Sequence, residues 1–331
     1  MSSDSPSSLP SSDSDPGPLG PLPARPAFQA SEPSAGPRAR PSSTRSSSKR
    51  ARLRLLARLT IRDRQLLDWL AEHYLLSTDQ IAAALFPSKR AATLRLAALY
   101  EMEALNRFVD VTTGTRQHLY ALGPLGALVN PSTYNDPDRS DAPAPRTATD
   151  RTERIVGSRK LAHLLGTNQL FIDLYAYTRT DPNTRLLRWW SEQHATAAYT
   201  LSGIRPDGHG IWQVGDHTTG FWLEHDRGTE KIATVLGKLR NYAQLAEVGP
   251  RYPVLLRVPS ARRERNLLDA LAGLPRGLPV ATGVHGEHPA GPCWTVAGDS
   301  GGLRRWLHEL PSDHGPVNAA TNPHRYSDPE D

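Results

Sequence analysis

The stretch from Arg205 to Tyr242 constrains the chain more than any other, because it sets charged side chains at strand ends in a fixed geometry. It reads Arg205-Pro206-Asp207-Gly208, then an apolar strand, Ile211-Trp212-Gln213-Val214. A second strand ends Phe221-Trp222-Leu223-Glu224-His225-Asp226, and a helix carrying Lys231, Lys238 and Tyr242 follows. Side chains two apart on a strand share a face. Glu224 and Asp226 are therefore expected to project together, with Leu223 and His225 on the other side. Pairing of the two strands as a hairpin brings Asp207 up to Glu224. Oxygen ligands gathered at one spot are what a hard divalent cation such as Mg²⁺ requires.

A length of 331 residues suggests about two domains. The 29 prolines and the 38% hydrophobic content point to long stretches outside any core, and these concentrate in the tails and one linker. The net charge of +5 favours a polyanionic partner. A single cysteine, Cys293, excludes an internal disulfide and a multi-cysteine zinc site. The N-terminus has no apolar segment of a signal peptide, and no apolar run is long enough to cross a bilayer. A soluble cytoplasmic protein with no membrane partner is the expectation.

Residues 1–58 are Ser- and Pro-rich without apolar periodicity, which predicts a disordered tail. Its second half is basic: Arg38, Arg40, Arg45, Lys49, Arg50, Arg52, Arg54 and Arg58. Two readings stay open there, a solvated linker or an electrostatic arm for phosphate contacts.

Residues 59–129 read as the first folded unit. Thr60 with Asp63, and Ser77 with Gln80, form capping pairs that open two helices. Pro87 ends the second, and Ser88 starts a third that runs to about Leu105. Its inward stripe is read as Ala91, Leu94, Ala98, Met102 and Leu105, leaving Lys89, Arg90, Thr93 and Arg95 outside it. Strands Phe108-Val109-Asp110-Val111 and Gln117 to Leu122 follow, joined by a turn at Thr112-Thr113-Gly114-Thr115. This order resembles a winged helix-turn-helix. In that arrangement the N-terminal residues of the third helix reach base edges in the major groove of double-stranded DNA, and Arg116 touches backbone or minor groove. The bland alternative is that these elements dock on the second domain and carry ordinary surface charge.

Residues 130–152 are rich in Pro, Asp, Ser, Thr and Ala, as a linker is. Residues 153–310 then read as α-β-β-β-α-β-α-β, a mixed sheet with helices packed on it, and residues 311–331 as a disordered tail. The last elements are a strand at Cys293-Trp294-Thr295-Val296 and a short helix ending near Leu310.

Arg205-Pro206-Asp207-Gly208, Leu223-Glu224-His225-Asp226-Arg227-Gly228-Thr229-Glu230 and Lys238-Leu239-Arg240-Asn241-Tyr242, behind a winged helix and a linker, resemble the replication-relaxation family of actinobacterial plasmids and integrative elements. The resemblance covers roughly Leu59 to Gly273, and the Glu-x-Asp-Arg-Gly-Thr segment is its most specific part. It implies a role in plasmid replication, DNA relaxation or conjugative transfer, alongside other proteins of those processes. It also implies that the α+β chain joins its winged helix to a restriction-endonuclease-like domain of the PD-(D/E)XK class. Asp207 then matches the Asp of the Pro-Asp pair and Glu224 the first acid of the (D/E)XK element, while Asp226 stands where its lysine belongs. Losing that charge stabiliser costs roughly 100- to 1,000-fold in rate. Lys238, one to two turns into the next helix, is the candidate replacement. Asp226 becomes a further metal ligand, and Glu192 is a weaker candidate for the same cluster.

Other chemistries fail on residue identity. His209, His217 and His225 match no zinc spacing. Gly237-Lys238 is no phosphate loop, because Ile232 and Leu239 replace the required glycine and hydroxyl. His308-Glu309 lacks the second histidine of a zinc protease. Two hypotheses follow: a non-catalytic DNA-binding protein of replication or transfer, or a Mg²⁺-dependent DNA nuclease using Asp207, Glu224, Asp226 and Lys238.

Overall fold

Thr60 and Asp63 clamp the start of the first long helix. The Asp63 carboxylate accepts from the Thr60 N–H at 2.7 Å, and the Thr60 hydroxyl accepts from the Asp63 N–H at 3.2 Å. In this computed structural model the described residues are 50, 53–110, 116–129, 148–158, 160–272, 277–299 and 301–314. They all belong to one compact unit within residues 44–331.

A short helix α1 covers residues 53–58 and runs into the clamp. The tail read as disordered to residue 58 thus ends earlier, because Leu55 and Leu59 are buried in the first core. Then come α2 (Ile61–His73), β1 (Leu76–Ser77), α3 (Thr78–Leu85) and α4 (Lys89–Glu101). Ser77 and Gln80 cap α3 reciprocally, and the Ser88 hydroxyl accepts from the Ala91 N–H to open α4.

The buried face of α4 is Ala92, Leu96 and Leu99, while Leu94 is 65% exposed. The stripe expected from the sequence, through Ala91, Leu94 and Ala98, lies one register away. An alanine- and leucine-dense helix offers two apolar stripes, and packing selects the one whose leucines meet the core. The helix also stops at Glu101, and Leu105 opens a strand instead of closing the helix.

Strands β2 (Leu105–Val109) and β3 (His118–Leu122) pair antiparallel, and β1 pairs with the free side of β3, giving the order β1-β3-β2. The turn expected at 112–115 lies outside the described residues. After α5 (Pro124–Val129), residues 130–147 also lie outside them, and α6 (Ala148–Val156) occupies the end of the expected linker.

The second layer begins with α7 (Lys160–Tyr177), β4 (Thr184–Ser191) and α8 (Glu192–Ala198). It continues with β5 (Gly208–Val214), β6 (His217–His225), α9 (Ile232–Val248), β7 (Val254–Val258) and α10 (Ala261–Leu271). Strands β8 (Val280–Val284), β9 (Trp294–Val296) and β10 (Arg304–Arg305) complete it. The sheet runs β10-β9-β8-β7-β6-β5-β4. Strands β4, β5 and β6 form an antiparallel meander, β6, β7 and β8 are parallel, and β9 and β10 return antiparallel.

Every residue of β7 is buried, as expected of a strand covered on both faces. One face packs Trp222, Val254 and Leu256 against Val235, Leu239 and Leu245 of α9 and Leu267 of α10. The other packs Phe221, Leu223 and Leu255 against Leu170, Phe171 and Leu174 of α7. This alternation along β6 turns Glu224 toward α9 and His225 toward α7. Among the described residues, no helix is long and apolar enough to cross a membrane.

The two layers meet directly. The Gln80 amide donates to the Leu165 carbonyl and the Asn168 amide to the Leu75 carbonyl. Glu72 accepts from the Ser191 N–H at 2.9 Å and meets His194 at 3.1 Å, and Tyr74 hydrogen-bonds Gln193. His73 stacks on Trp189 with ring centroids 3.9 Å apart. Burial holds His73 far below its usual value, at about 4 against 6.5. The unfolded chain therefore takes up this proton first, so the stability from neutral His73 is present above pH 6.5 and is lost as pH falls toward 4. Each unit of that window is worth up to about 1.4 kcal/mol. His73→Phe is expected to move the acid midpoint of tryptophan fluorescence to lower pH; an unmoved midpoint would show that this seam does not sense acid.

Candidate functional site

Asp207 and Glu224 come together at the end of the β5–β6 pair. Gly208 lies opposite Leu223, and the Asp207 N–H donates to the Leu223 carbonyl at 2.9 Å, so the ladder continues to the two acids. One carboxylate oxygen of Asp207 accepts from the His225 N–H at 2.7 Å, and the other meets His163 Nε2 at 2.9 Å. Glu224 is buried, accepts from the Tyr242 hydroxyl at 2.6 Å, and pairs with Lys238 Nζ at 3.4 Å. Lys238 also reaches Glu230 at 3.2 Å. All four carboxylate oxygens of the pair thus already face a protein partner.

The electrostatics follow from this arrangement. Burial first, and the Asp207 charge second, push the Glu224 carboxyl up to about 8, more than Lys238 and Tyr242 pull it down. Burial pulls Lys238 down, but Glu224 and Glu230 outweigh it and hold the ammonium above its usual value. His163 behaves alike: burial lowers it, while Asp207, then Glu192 and Glu224, raise it overall. Burial and Glu224 keep the Tyr242 hydroxyl protonated. The group is a neutralised acid pair with its protons and cations supplied by α7 and α9.

Several sequence-derived assignments shift. Asp226 lies just past β6 and turns to Arg263, with Oδ2 2.7 Å from Nε, while its other oxygen accepts from the Gly228 N–H at 2.6 Å. The alternation that was to align it with Glu224 ends where the strand ends, at His225. Among the described residues, no three His, Cys, Asp or Glu side chains converge as a metal ion requires. The observed donor set therefore does not fit a Mg²⁺ cage, which needs carboxylate oxygens turned toward the ion. Lys231 occupies the cap of α9 and is exposed there.

Glu192, the first residue of α8, does act on His163. His209 belongs to the core, stacked on Tyr252 with Nδ1 2.9 Å from the Phe221 carbonyl. His163 is the member the sequence reading missed. It stands far before Asp207 in the chain, and no local motif marks it.

The second candidate surface is the start of α4. Arg90 and Thr93 are exposed, and Thr93 returns its hydroxyl to the Lys89 carbonyl at 2.9 Å. Lys89 pairs with Asp79 at 2.6 Å, both largely exposed. Arg116 is exposed just before β3, with a φ of 48°. Arg95 turns away: it grips buried Asp63 through two nitrogens, at 2.9 and 2.5 Å, and donates to the Arg58 carbonyl. Removing it strands a buried carboxylate, discounted because the arginine is partly exposed. Arg95→Ala is expected to lower stability by about 1–3 kcal/mol, read as a lower thermal midpoint; an unchanged midpoint would free Arg95 for a role on the surface.

The replication-relaxation family model matches residues 67–255, more than half of the chain. The chain belongs to the replication-relaxation family. The match runs from Leu67 in α2 to Leu255 in β7, so the replication-relaxation region includes both α4 and the Asp207–Glu224–Lys238 group and stops short of α10. No curated protein and no solved structure matches the chain.

Proposed function

We propose that this replication-relaxation protein binds double-stranded DNA through α4, in plasmid replication, relaxation or conjugative transfer, and that it does so without cutting. The observation that carries the reading is the exposed N-terminal face of α4 beside a three-stranded sheet in the order β1-β3-β2. Three helices, with a β-ribbon following the third, are the parts of a winged helix-turn-helix. Arg90 and Thr93 reach base edges, Lys89 supplies charge beside them, and Arg116, just before β3 at the loop end of the β2–β3 ribbon, touches the backbone. The partners in this role are duplex DNA and other replication or transfer proteins.

The sheet unit is a restriction-endonuclease-like fold that keeps its acid pair without using it. An antiparallel meander followed by a helical crossover to a parallel strand, with Asp207 just ahead of β5 and Glu224 on the adjacent β6, supports that descent. The occupied carboxylate oxygens and the withdrawn Asp226 support the lack of cleavage. The test is incubation of supercoiled and linear DNA with Mg²⁺ or Mn²⁺, comparing wild type with Asp207→Ala and Glu224→Ala. Intact DNA is expected throughout. Metal-dependent nicking abolished by both substitutions would establish the nuclease instead.

A further inference from the structure

An open groove of about 330 Å³ runs between α2, the end of α3 and the last turn of α7, lined by Ile61, Arg62, Gln65, Leu85, Tyr175 and Arg179 among others. No carboxylate lines it. Its floor is polar, the Gln65 amide donating to the Tyr175 hydroxyl at 2.7 Å. Two exposed arginines form its walls.

Arg62 places its guanidinium 4.9 Å over the Phe86 ring. Arg179 uses Nη1 on the carbonyls of Ala83, Ala84 and Phe86, at 3.0–3.2 Å. This cancels the negative end of α3, which would otherwise repel an anion. Among the described residues, its Nε and Nη2 take no protein acceptor. Both arginines thus bracket Phe86-Pro87, the turn that leads into Ser88 and the exposed start of α4.

We infer that this groove seats the phosphodiester backbone of the duplex held by α4, with Arg62 and Arg179 as phosphate contacts. The inference rests on the DNA-binding reading above and deepens it. Planar guanidinium groups match phosphate oxygens, and Phe86-Pro87 connects the edge of the groove to Lys89 and Arg90. Arg179 follows α7, so the sheet unit shares the grip on DNA with the three-helix unit, across the seam that joins them.

The test compares Arg62→Gln, Arg179→Gln and the double variant with wild type, measuring duplex affinity by fluorescence anisotropy over a range of salt. Each lost phosphate contact flattens the slope of log affinity against log salt by about 0.9. The double variant is expected to bind about 10-fold more weakly at low salt, equally on unrelated sequences. Arg179→Lys and the thermal midpoints separate lost charge from a loosened α3, and Arg62 carries the test alone if Arg179→Gln unfolds. Unchanged slopes alongside weakened binding by Arg90→Ala would remove the groove from the DNA path. Unchanged affinity in Arg90→Ala as well would sink the DNA-binding reading itself. Loss of free nucleotide or inorganic phosphate binding, with duplex binding intact, would overturn the inference and make the groove a small-anion site.

Discussion

Glu224→Gln is expected to raise the thermal midpoint at pH 8 and to leave it nearly unchanged at pH 4.5. The folded carboxyl titrates near 8 and the unfolded one near 4.5. Below pH 4.5 both states hold the proton, and Glu and Gln are equivalent. As pH rises through the window, the unfolded chain releases its proton first, and wild type loses up to about 1.4 kcal/mol per unit. Above 8 both states are ionised and the difference levels off.

Glutamine keeps the acceptor for Tyr242, and Lys238 keeps Glu230. Allowing for half-exposed Lys238, the gain at pH 8 is on the order of 3 kcal/mol, or roughly 5–10 °C for a unit of this size. Scanning fluorimetry from pH 4.5 to 9 reads it directly. A midpoint lowered at pH 8 would mean that the ionised carboxylate stabilises the fold, as a working charged site would.

Arg90→Ala is expected to weaken duplex binding by about 10- to 100-fold, the range of one good base contact. It is also expected to relax preference at one base position. Arg90 makes the sharper test than Lys89, whose ammonium already meets Asp79. Unchanged affinity and unchanged sequence preference would place the contact surface elsewhere.

Much of this was legible where the signal is local. The Thr60–Asp63 and Ser77–Gln80 boxes announce α2 and α3, because a cap is satisfied within four residues. The meeting of Asp207 with Glu224 also follows from strand alternation and a single hairpin. Periodicity does not settle the α4 stripe, because small apolar residues surround the helix and only tertiary packing tells Leu96 from Leu94. Strand β8, Val280-Ala281-Thr282-Gly283-Val284, carries too few large apolar residues to stand out, yet it is parallel to β7 and well buried. His163 and Arg263 reach their acids from distant helices, and no spacing in the sequence encodes such a meeting.

The central claim is that α4 enters duplex DNA by the face that bears Arg90 and Thr93. A photoreactive amino acid at position 93, irradiated with a labelled duplex, tests it most directly, with exposed Glu247 on α9 as the control position. Efficient crosslinking at 93 and none at 247 is the expected result. A protein that binds DNA yet crosslinks only at 247, or at neither position, would contradict the account.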